Sequence, residues 1–189
     1  MQHSSEFIQT VKKVCDILDR DKVERFAEIL SQIKGRLFIL GVGGSAANAS
    51  HAVNDFRKLC GIEAYAPTDN VAELTARTND EGWATIFREW LITSKLNDND
   101  VLLVLSVGGG TLSSSPNIMD AIFYAKEIGA KTLGIIGREH GYTAANADIA
   151  ILVPIVEDKW VTPLSEAFQM VILHCLVSHP LLQKVATKW

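Results

Sequence analysis

The sequence predicts an α/β fold, with a doubly wound five-stranded parallel sheet flanked by helices and an N-terminal helical hairpin before the first strand. Four short apolar runs lack the polar alternation of half-exposed strands, which is typical of strands buried on both faces. Segments with helical periodicity separate these runs, as in parallel α/β sheets. The chain has 189 residues, of which 48% are hydrophobic and 21% charged, enough for one sizeable core.

Two amphipathic helices are expected at the start of the chain, as a hairpin over residues 1–34 within a single domain of residues 1–189. Apolar residues recur three or four positions apart in both segments. The polar segment Asp19–Asp21 joins them, and Gly35 ends the second helix. We expect this hairpin to pack against another subunit.

The remaining predicted elements alternate along the chain with short connections, which indicates a parallel sheet whose ligands bind at the carboxyl ends of the strands. The predicted strands are Leu37–Leu40, Val101–Leu105, Thr132–Ile136 and Ile149–Val153, with Ala64–Ala66 as an outer strand. The predicted helices are Ala46–Leu59, Ala84–Thr93, Pro116–Ile128 and Pro163–Ser178.

Composition and charge argue against several classes of partner. The net charge is -4 and the pI is about 5.7, which disfavours an electrostatic nucleic-acid binder. We find no leader with a basic start, and no apolar stretch of the roughly 18 residues that a membrane span needs. Cys15, Cys60 and Cys175 lie far apart in apolar settings, so we expect reduced core thiols. A cytoplasmic protein that binds neither nucleic acid nor a membrane is therefore expected.

A glycine-rich turn after the first predicted strand is the most informative motif. The run Gly41-Val42-Gly43-Gly44-Ser45 connects that strand to the next helix. Glycines let backbone N–H groups approach a ligand, and a helix N-terminus favours negative charge. The spacing fits neither a dinucleotide fingerprint nor a P-loop. We therefore expect Gly43, Gly44 and Ser45 to bind a small phosphate ester, and we expect no organic cofactor.

A second loop rich in Gly and Ser follows the next long strand. It contains Ser106, Gly108, Gly109 and Thr111. Because both loops follow parallel strands, they lie on the same edge of the sheet, where the second loop could surround a phosphate from the other side. The alternative is a flexible Gly/Ser turn.

Together the two loops resemble those of the sugar isomerase (SIS) domain family, and the resemblance extends over nearly the whole chain. Within that family the sequence looks most like the phosphoheptose isomerases. The resemblance implies a five-stranded parallel sheet that binds a phosphosugar, and a homotetramer with its sites at subunit contacts. Two departures are evident: Val42 replaces a usual Asn, and the second loop lacks two side-chain donors of the usual Ser-Thr-Ser-Gly-Asn-Ser.

Two predicted helices carry pairs of His and acidic residues. His51 and Asp55 lie four positions apart and so share a helix face. Glu166 and His174 lie eight positions apart, about 80° around the helix axis. Two imidazoles and two carboxylates suit zinc or another divalent metal, and an acid–base pair suits aldose–ketose isomerisation. The residues alone leave purely structural roles open. His51 could be an exposed polar residue, Asp55 a solvated carboxylate, Glu166 a residue that suits the helix dipole, and His174 a core residue.

The family resemblance implies roles for these residues. Asp55 stands where the family has a catalytic Glu, Glu166 where it has a Gln, and His174 where it has a catalytic His. His51 aligns with a His that, together with those three, binds zinc in some members. Asp80 matches a family position near the sugar, and its alternative role is capping of a helix or turn.

The resemblance therefore implies a phosphosugar aldose–ketose isomerase, which would convert sedoheptulose 7-phosphate to D-glycero-D-manno-heptose 7-phosphate. We expect Ser45, Ser106 and Thr111 to hold the phosphate, and Asp55 to move the proton between C1 and C2. His174 is expected to be the partner acid or base, or a metal ligand. The alternative is a non-catalytic SIS module that senses a sugar phosphate or docks a protein, which the altered second loop and the shorter Asp55 favour.

Overall fold

The computed structural model describes residues 2–188. Helices α1 (His3–Ile17) and α2 (Arg20–Ser31) open the chain, as the sequence predicts. The Asp19 carboxylate accepts a hydrogen bond from the backbone N–H of Lys22 at 3.1 Å and so caps α2. Helix α2 packs four side chains into the core, whereas α1 buries only Thr10 and Val14. Much of α1 is therefore exposed, and its packing against another subunit stays a prediction.

Five parallel strands form one sheet in the order β2-β1-β3-β4-β5. The chain runs from β1 to β2 on one side and then returns to place β3 on the other side of β1. The carboxyl ends of β1 and β3 therefore flank the topological switch point, where α/β sheets bind ligands. The strands are β1 (Leu37–Leu40), β2 (Ala64–Tyr65), β3 (Val101–Ser106), β4 (Lys131–Ile136) and β5 (Ile149–Leu152).

Helices cover both faces of the sheet, and successive strand residues alternate between two apolar clusters. Leu37 and Ile39 pack with residues of α2, α3 and α8, whereas Phe38 and Leu40 pack with residues of α5 and α6. Helices α4 and α7, which the sequence analysis did not predict, connect β2 to α5 and β4 to β5. The helices after β1 are α3 (Gly44–Cys60), α4 (Val71–Asp80), α5 (Ile86–Thr93), α6 (Pro116–Ile128), α7 (Tyr142–Asn146) and α8 (Val161–Val177).

Two carboxylates hold the amino-terminal edge of the sheet. Asp100, whose side chain is fully buried, accepts hydrogen bonds from the backbone N–H of Arg36 at 2.7 Å and from its guanidinium at 2.8 Å, which raises the pKa of Arg36. Asp148 accepts from the N–H of Thr132 at 2.7 Å. Burial opposes ionisation of Asp148, but hydrogen bonds from Thr132 and Lys131 outweigh it and lower its pKa below the ordinary value.

The prediction of three core thiols is wrong for Cys15 and Cys175, which lie on exposed faces of α1 and α8. Both positions fall on the outer side of a helix whose opposite side is packed. Cys60 is buried at the end of α3, and burial raises its pKa to about 11. All three cysteines are free thiols.

The helical stretch Asp158–Val177 is long and apolar enough to cross a membrane by length and composition, contrary to our expectation that no stretch reaches that size. In the structure 56% of the 18-residue apolar window within that stretch is buried against the rest of the chain. Its apolar character is explained by packing, because Phe168, Ile172 and Leu176 belong to the cluster on one face of the sheet.

Candidate active site

The first glycine-rich loop runs directly into α3. Gly43 has a φ of +62°, which favours glycine, and α3 begins at Gly44 rather than at the predicted Ala46. The first N–H that bonds back along the helix is that of Ala46, which donates to the Gly43 carbonyl at 3.0 Å. Gly44 and Ser45 therefore carry N–H groups at the open end of a 17-residue helix. The Ser45 hydroxyl is less available than expected, because this residue is only 2% exposed.

Glu166 lies against this loop. A Cβ placed on Gly44 would lie 2.5 Å from Glu166 Oε2, so the carboxylate occupies the space that any other residue would fill. The carboxylate on α8 thus contacts the start of α3, where a helix N-terminus favours negative charge. Only a glycine at position 44 permits this approach.

The second loop is fixed rather than flexible. The Ser106 hydroxyl oxygen accepts a hydrogen bond from the N–H of Gly109 at 3.0 Å. The Gly109 carbonyl accepts from the N–H of Thr143 at 2.9 Å and from its hydroxyl at 2.7 Å. The Gly110 carbonyl accepts from the N–H of Tyr142 at 2.8 Å. These bonds join the loop to the start of α7, which disfavours the alternative of a flexible turn.

The end of the second loop leads into α6 and includes Asn117, which the sequence analysis missed. Thr111 closes a turn with Ser114, whose N–H donates to Thr111 Oγ1 at 3.0 Å. Ser115 has a φ of +57°, rare for a residue other than glycine, and no capping bond from its side chain. Asn117 is fully buried and its Nδ2 has no partner within residues 2–188. The available signal was a serine directly before Pro116, at the N-cap position of a predicted helix.

Three of the four predicted metal ligands converge between α3 and α8. His51 Nε2 lies 3.1 Å from Asp55 Oδ2, and His174 Nε2 lies 3.2 Å from His51 Nε2 and 3.7 Å from Asp55 Oδ2. The imidazoles are half-exposed and the Asp55 side chain is 15% exposed, so the group opens to solvent above a largely buried carboxylate. The spacing of four residues does place His51 and Asp55 on one face, as predicted.

These three residues fit a divalent metal. Bonds of 2.0–2.1 Å in a tetrahedral arrangement would place ligand atoms about 3.3 Å apart, close to the three distances in this group. An ordinary hydrogen bond joins only two of these three atoms, so one proton satisfies all three only in a three-centre bond. A cation would instead accept a lone pair from each of them. Glu166 lies outside this group, because its carboxylate packs on Gly44 instead, and its role as a fourth ligand stays a prediction.

Asp80 lies apart from this group. It is the last residue of α4 and is exposed, and its carboxylate accepts a hydrogen bond from Asn79 Nδ2 at 2.7 Å. No bond joins Asp80 to another candidate residue in the part of the chain that the structure describes. Its predicted contact with sugar hydroxyls stays a prediction.

A cleft of about 460 Å³ borders the second loop on the face covered by α5 and α6. Leu112 and Pro116 form one wall, and the ion pair between Arg88 and Asp120, 3.4 Å apart, lies on another. His51, Asp55 and His174 do not line it. The cleft is therefore separate from the candidate metal-binding group.

The sequence matches the SIS domain over residues 6–137. The chain belongs to the SIS domain family. Among relatives of this SIS protein, the phosphoheptose isomerase of Geobacter sulfurreducens is 32% identical, over 86% of this chain and 87% of that protein. The phosphoheptose isomerase of Geotalea daltonii is 31% identical, over 89% of each chain. The solved structure of the Neisseria gonorrhoeae phosphoheptose isomerase superposes with a TM-score of 0.78 and 26% identity, over 93% of this chain and 92% of that one.

Proposed function

We propose that this SIS protein is a phosphoheptose isomerase that converts sedoheptulose 7-phosphate to D-glycero-D-manno-heptose 7-phosphate. The observation that carries the proposal is the convergence of His51, Asp55 and His174 between α3, which follows the first glycine-rich loop, and α8. The similarity to the Geobacter sulfurreducens phosphoheptose isomerase supports it.

The reaction moves one proton between carbons and one between oxygens, and the residues can carry both. Asp55 takes the proton from C1, and the electron pair of that bond forms the C1–C2 double bond of an enediol. The oxygen on C2 gains a proton from His174 at the same time. In the second half, the hydroxyl on C1 returns a proton to His174 as the aldehyde forms, and Asp55 delivers its proton to C2.

As the alternative to its acid–base role, His174 would join His51 and Asp55 in holding a divalent metal, zinc in our proposal. Bound there, such an ion supplies Lewis-acid polarisation of the sugar oxygens. Helix α3 would contribute two of the metal ligands, four positions apart, and α8 would contribute the third.

The position of Glu166 suggests how the substrate lies. Its carboxylate beside Gly44 repels a second anion but accepts hydrogen bonds from hydroxyls. We therefore assign the sugar hydroxyls to the first loop and the phosphate to the second. Ser106, Thr111, Ser115 and the backbone N–H of Gly108 are the candidate phosphate donors there, whereas the Gly109 N–H already donates to Ser106 Oγ.

The proposal extends to the assembly and its location. We expect a cytoplasmic homotetramer, in which the exposed face of α1 and the half-exposed imidazoles of His51 and His174 lie at subunit contacts. Sedimentation of the purified protein measures the first point directly, because a monomer of 20.7 kDa and a tetramer differ fourfold in mass.

The decisive experiment is an assay of the purified protein with sedoheptulose 7-phosphate, before and after chelation and after zinc is added back. The Asp55→Asn variant should lose about 10²- to 10⁴-fold in kcat, because a neutral amide cannot act as the base. Asp98→Asn is the matched control, since Asp98 is exposed in the turn before β3 at the opposite edge of the sheet. No turnover of this or another ketose phosphate, with binding retained, would instead favour the non-catalytic sensor.

A further inference from the structure

Asn48 connects the two helices that carry the candidate catalytic group. It lies on the same face of α3 as His51 and Asp55, three and seven positions before them. Its side-chain Nδ2 donates to the Glu166 backbone carbonyl and to Gln169 Oε1, both at 2.9 Å. One amide therefore makes two bonds from α3 to α8, near the first loop.

The contacts between α3 and α8 occur in the same order along both helices. Asn48 meets Gln169, then His51 and Asp55 meet His174, and at the far end the Cys60 thiol donates to the carbonyl of Val177 at 3.7 Å. The helices thus run side by side in the same direction. With a rise of 1.5 Å per residue, the catalytic group lies about 5–10 Å along α3 from Asn48, between the two ends of this series.

The rest of this helix–helix contact does not fix a register. Ala52 and Phe56 of α3 and Phe168 and Ile172 of α8 share one apolar cluster, and such contacts are not directional. Outside the His–Asp group, Asn48 and Cys60 make the hydrogen bonds between α3 and α8 within residues 2–188. Because a thiol is a weak donor, Asn48 supplies the main directional constraint.

Gln169 carries a feature that packing does not explain. It is fully buried, its Oε1 accepts the bond from Asn48, and its Nε2 has no partner in the described chain. A buried donor without a partner destabilises a fold, whereas Met would fill similar space without one. The presence of a buried glutamine at this position is therefore explained by its hydrogen bond to Asn48, which orients the Asn48 side chain.

We propose that Asn48, oriented by Gln169, is a positioning residue that sets the register of α3 against α8. It thereby holds His51 and Asp55 at the spacing from His174 that the reaction needs. The catalytic consequence rests on the function proposed above, but the positioning itself can be measured without turnover.

The test compares Asn48→Ala and Gln169→Met with Asn99→Ala. The Asn99 amide also makes two side-chain bonds, but in the exposed turn before β3, at the opposite edge of the sheet. For each protein, kcat, KM and Tm are measured. The nuclear Overhauser effect between the rings of His51 and His174 is recorded on metal-free protein, with His51→Gln and His174→Gln for assignment.

We expect Asn48→Ala to lose at least about tenfold in kcat with a smaller change in KM, because group alignment depends on the register whereas the loop proposed to hold the phosphate lies outside the α3–α8 contact. Its ring-to-ring signal should weaken or vanish. Gln169→Met should lose kcat while its Tm stays or rises. Asn99→Ala should match the wild type in both kcat and the ring signal.

Several outcomes overturn the inference. The nuclear Overhauser effect between the two rings could be unchanged in Asn48→Ala, or missing in the wild type. The kcat loss in Asn48→Ala could match the fraction of that variant that is unfolded. The kcat loss in Asn99→Ala could be as large as that in Asn48→Ala. If the wild type does not isomerise the sugar, the proposed function fails, and the ring signal still decides whether Asn48 positions the two helices.

Discussion

Replacing Gly44 by Ala tests whether the Glu166 carboxylate contacts the substrate from its place on the first loop. The added Cβ would lie 2.5 Å from Glu166 Oε2, and ordinary contact begins at 3.4 Å. The carboxylate must therefore retreat by about 0.9 Å. Because it is the end of a flexible side chain, it can do so without moving the backbone.

The consequences for function and stability have opposite signs. A shift of that size removes a hydrogen bond between a carboxylate and a sugar hydroxyl, which is worth about 1.5–3 kcal/mol, or about 10- to 150-fold in kcat/KM. Ala is favoured over Gly in a helix by up to about 1 kcal/mol, so Tm should stay or rise by about 2–4 °C. A variant that is more stable and less active separates the role of Glu166 from a folding defect.

The assay is the steady-state rate with sedoheptulose 7-phosphate for Gly44→Ala, Glu166→Ala and the double variant. If the methyl acts by displacing Glu166, its effect should vanish in the Glu166→Ala background, as in a double-mutant cycle. A full additional loss there would mean that the methyl obstructs the substrate itself. An unchanged kcat/KM in Gly44→Ala, or a Tm several degrees lower, would refute the reasoning.

Three further predictions concern groups outside the site. Asp100→Asn should destabilise the protein by about 3–5 kcal/mol in denaturant unfolding, because it leaves the buried part of Arg36 without its anionic partner. At pH 8 a thiol reagent should label two of the three cysteines, and Cys60 only after unfolding, because its pKa of about 11 keeps it protonated. Asp148 has a lowered pKa in the folded state, so the stability that its ionised form contributes is present above about pH 4 and lost below. The stability difference between the wild type and Asp148→Asn should therefore shrink on acidification, and a constant difference would contradict this.

The sheet could be predicted from the sequence because its signal is local. Continuous apolar runs without alternation mark strands buried on both faces, and β1 matches its predicted bounds. The loops at the ends of β1 and β3 could be placed on one edge because parallel strands share a direction. Helical spacing was enough to bring His51 and Asp55 together.

The features of the site that the sequence analysis did not predict depend on contacts between residues far apart in the chain. The packing of the Glu166 carboxylate on the first loop depends on the missing side chain at Gly44, 122 positions earlier in the chain, which opens space for it. The bond from Asn48 to Gln169 joins residues 121 positions apart and leaves no periodic pattern. The exposure of Cys175 was misjudged because an apolar neighbourhood in sequence says little about which side of a helix is packed.

The two roles proposed for Asp55 are compatible because its oxygens have different partners. Oδ2 faces both imidazoles, at 3.1 Å and 3.7 Å, whereas within residues 2–188 Oδ1 accepts only the exposed amide of Asn54 at 3.0 Å. A cation held by Oδ2 and the two histidines would leave Oδ1 to exchange protons with carbon, once the Asn54 amide turns towards water. The shorter side chain of Asp, compared with the Glu usual in the family, keeps the carboxylate on the helix surface beside its histidine partners.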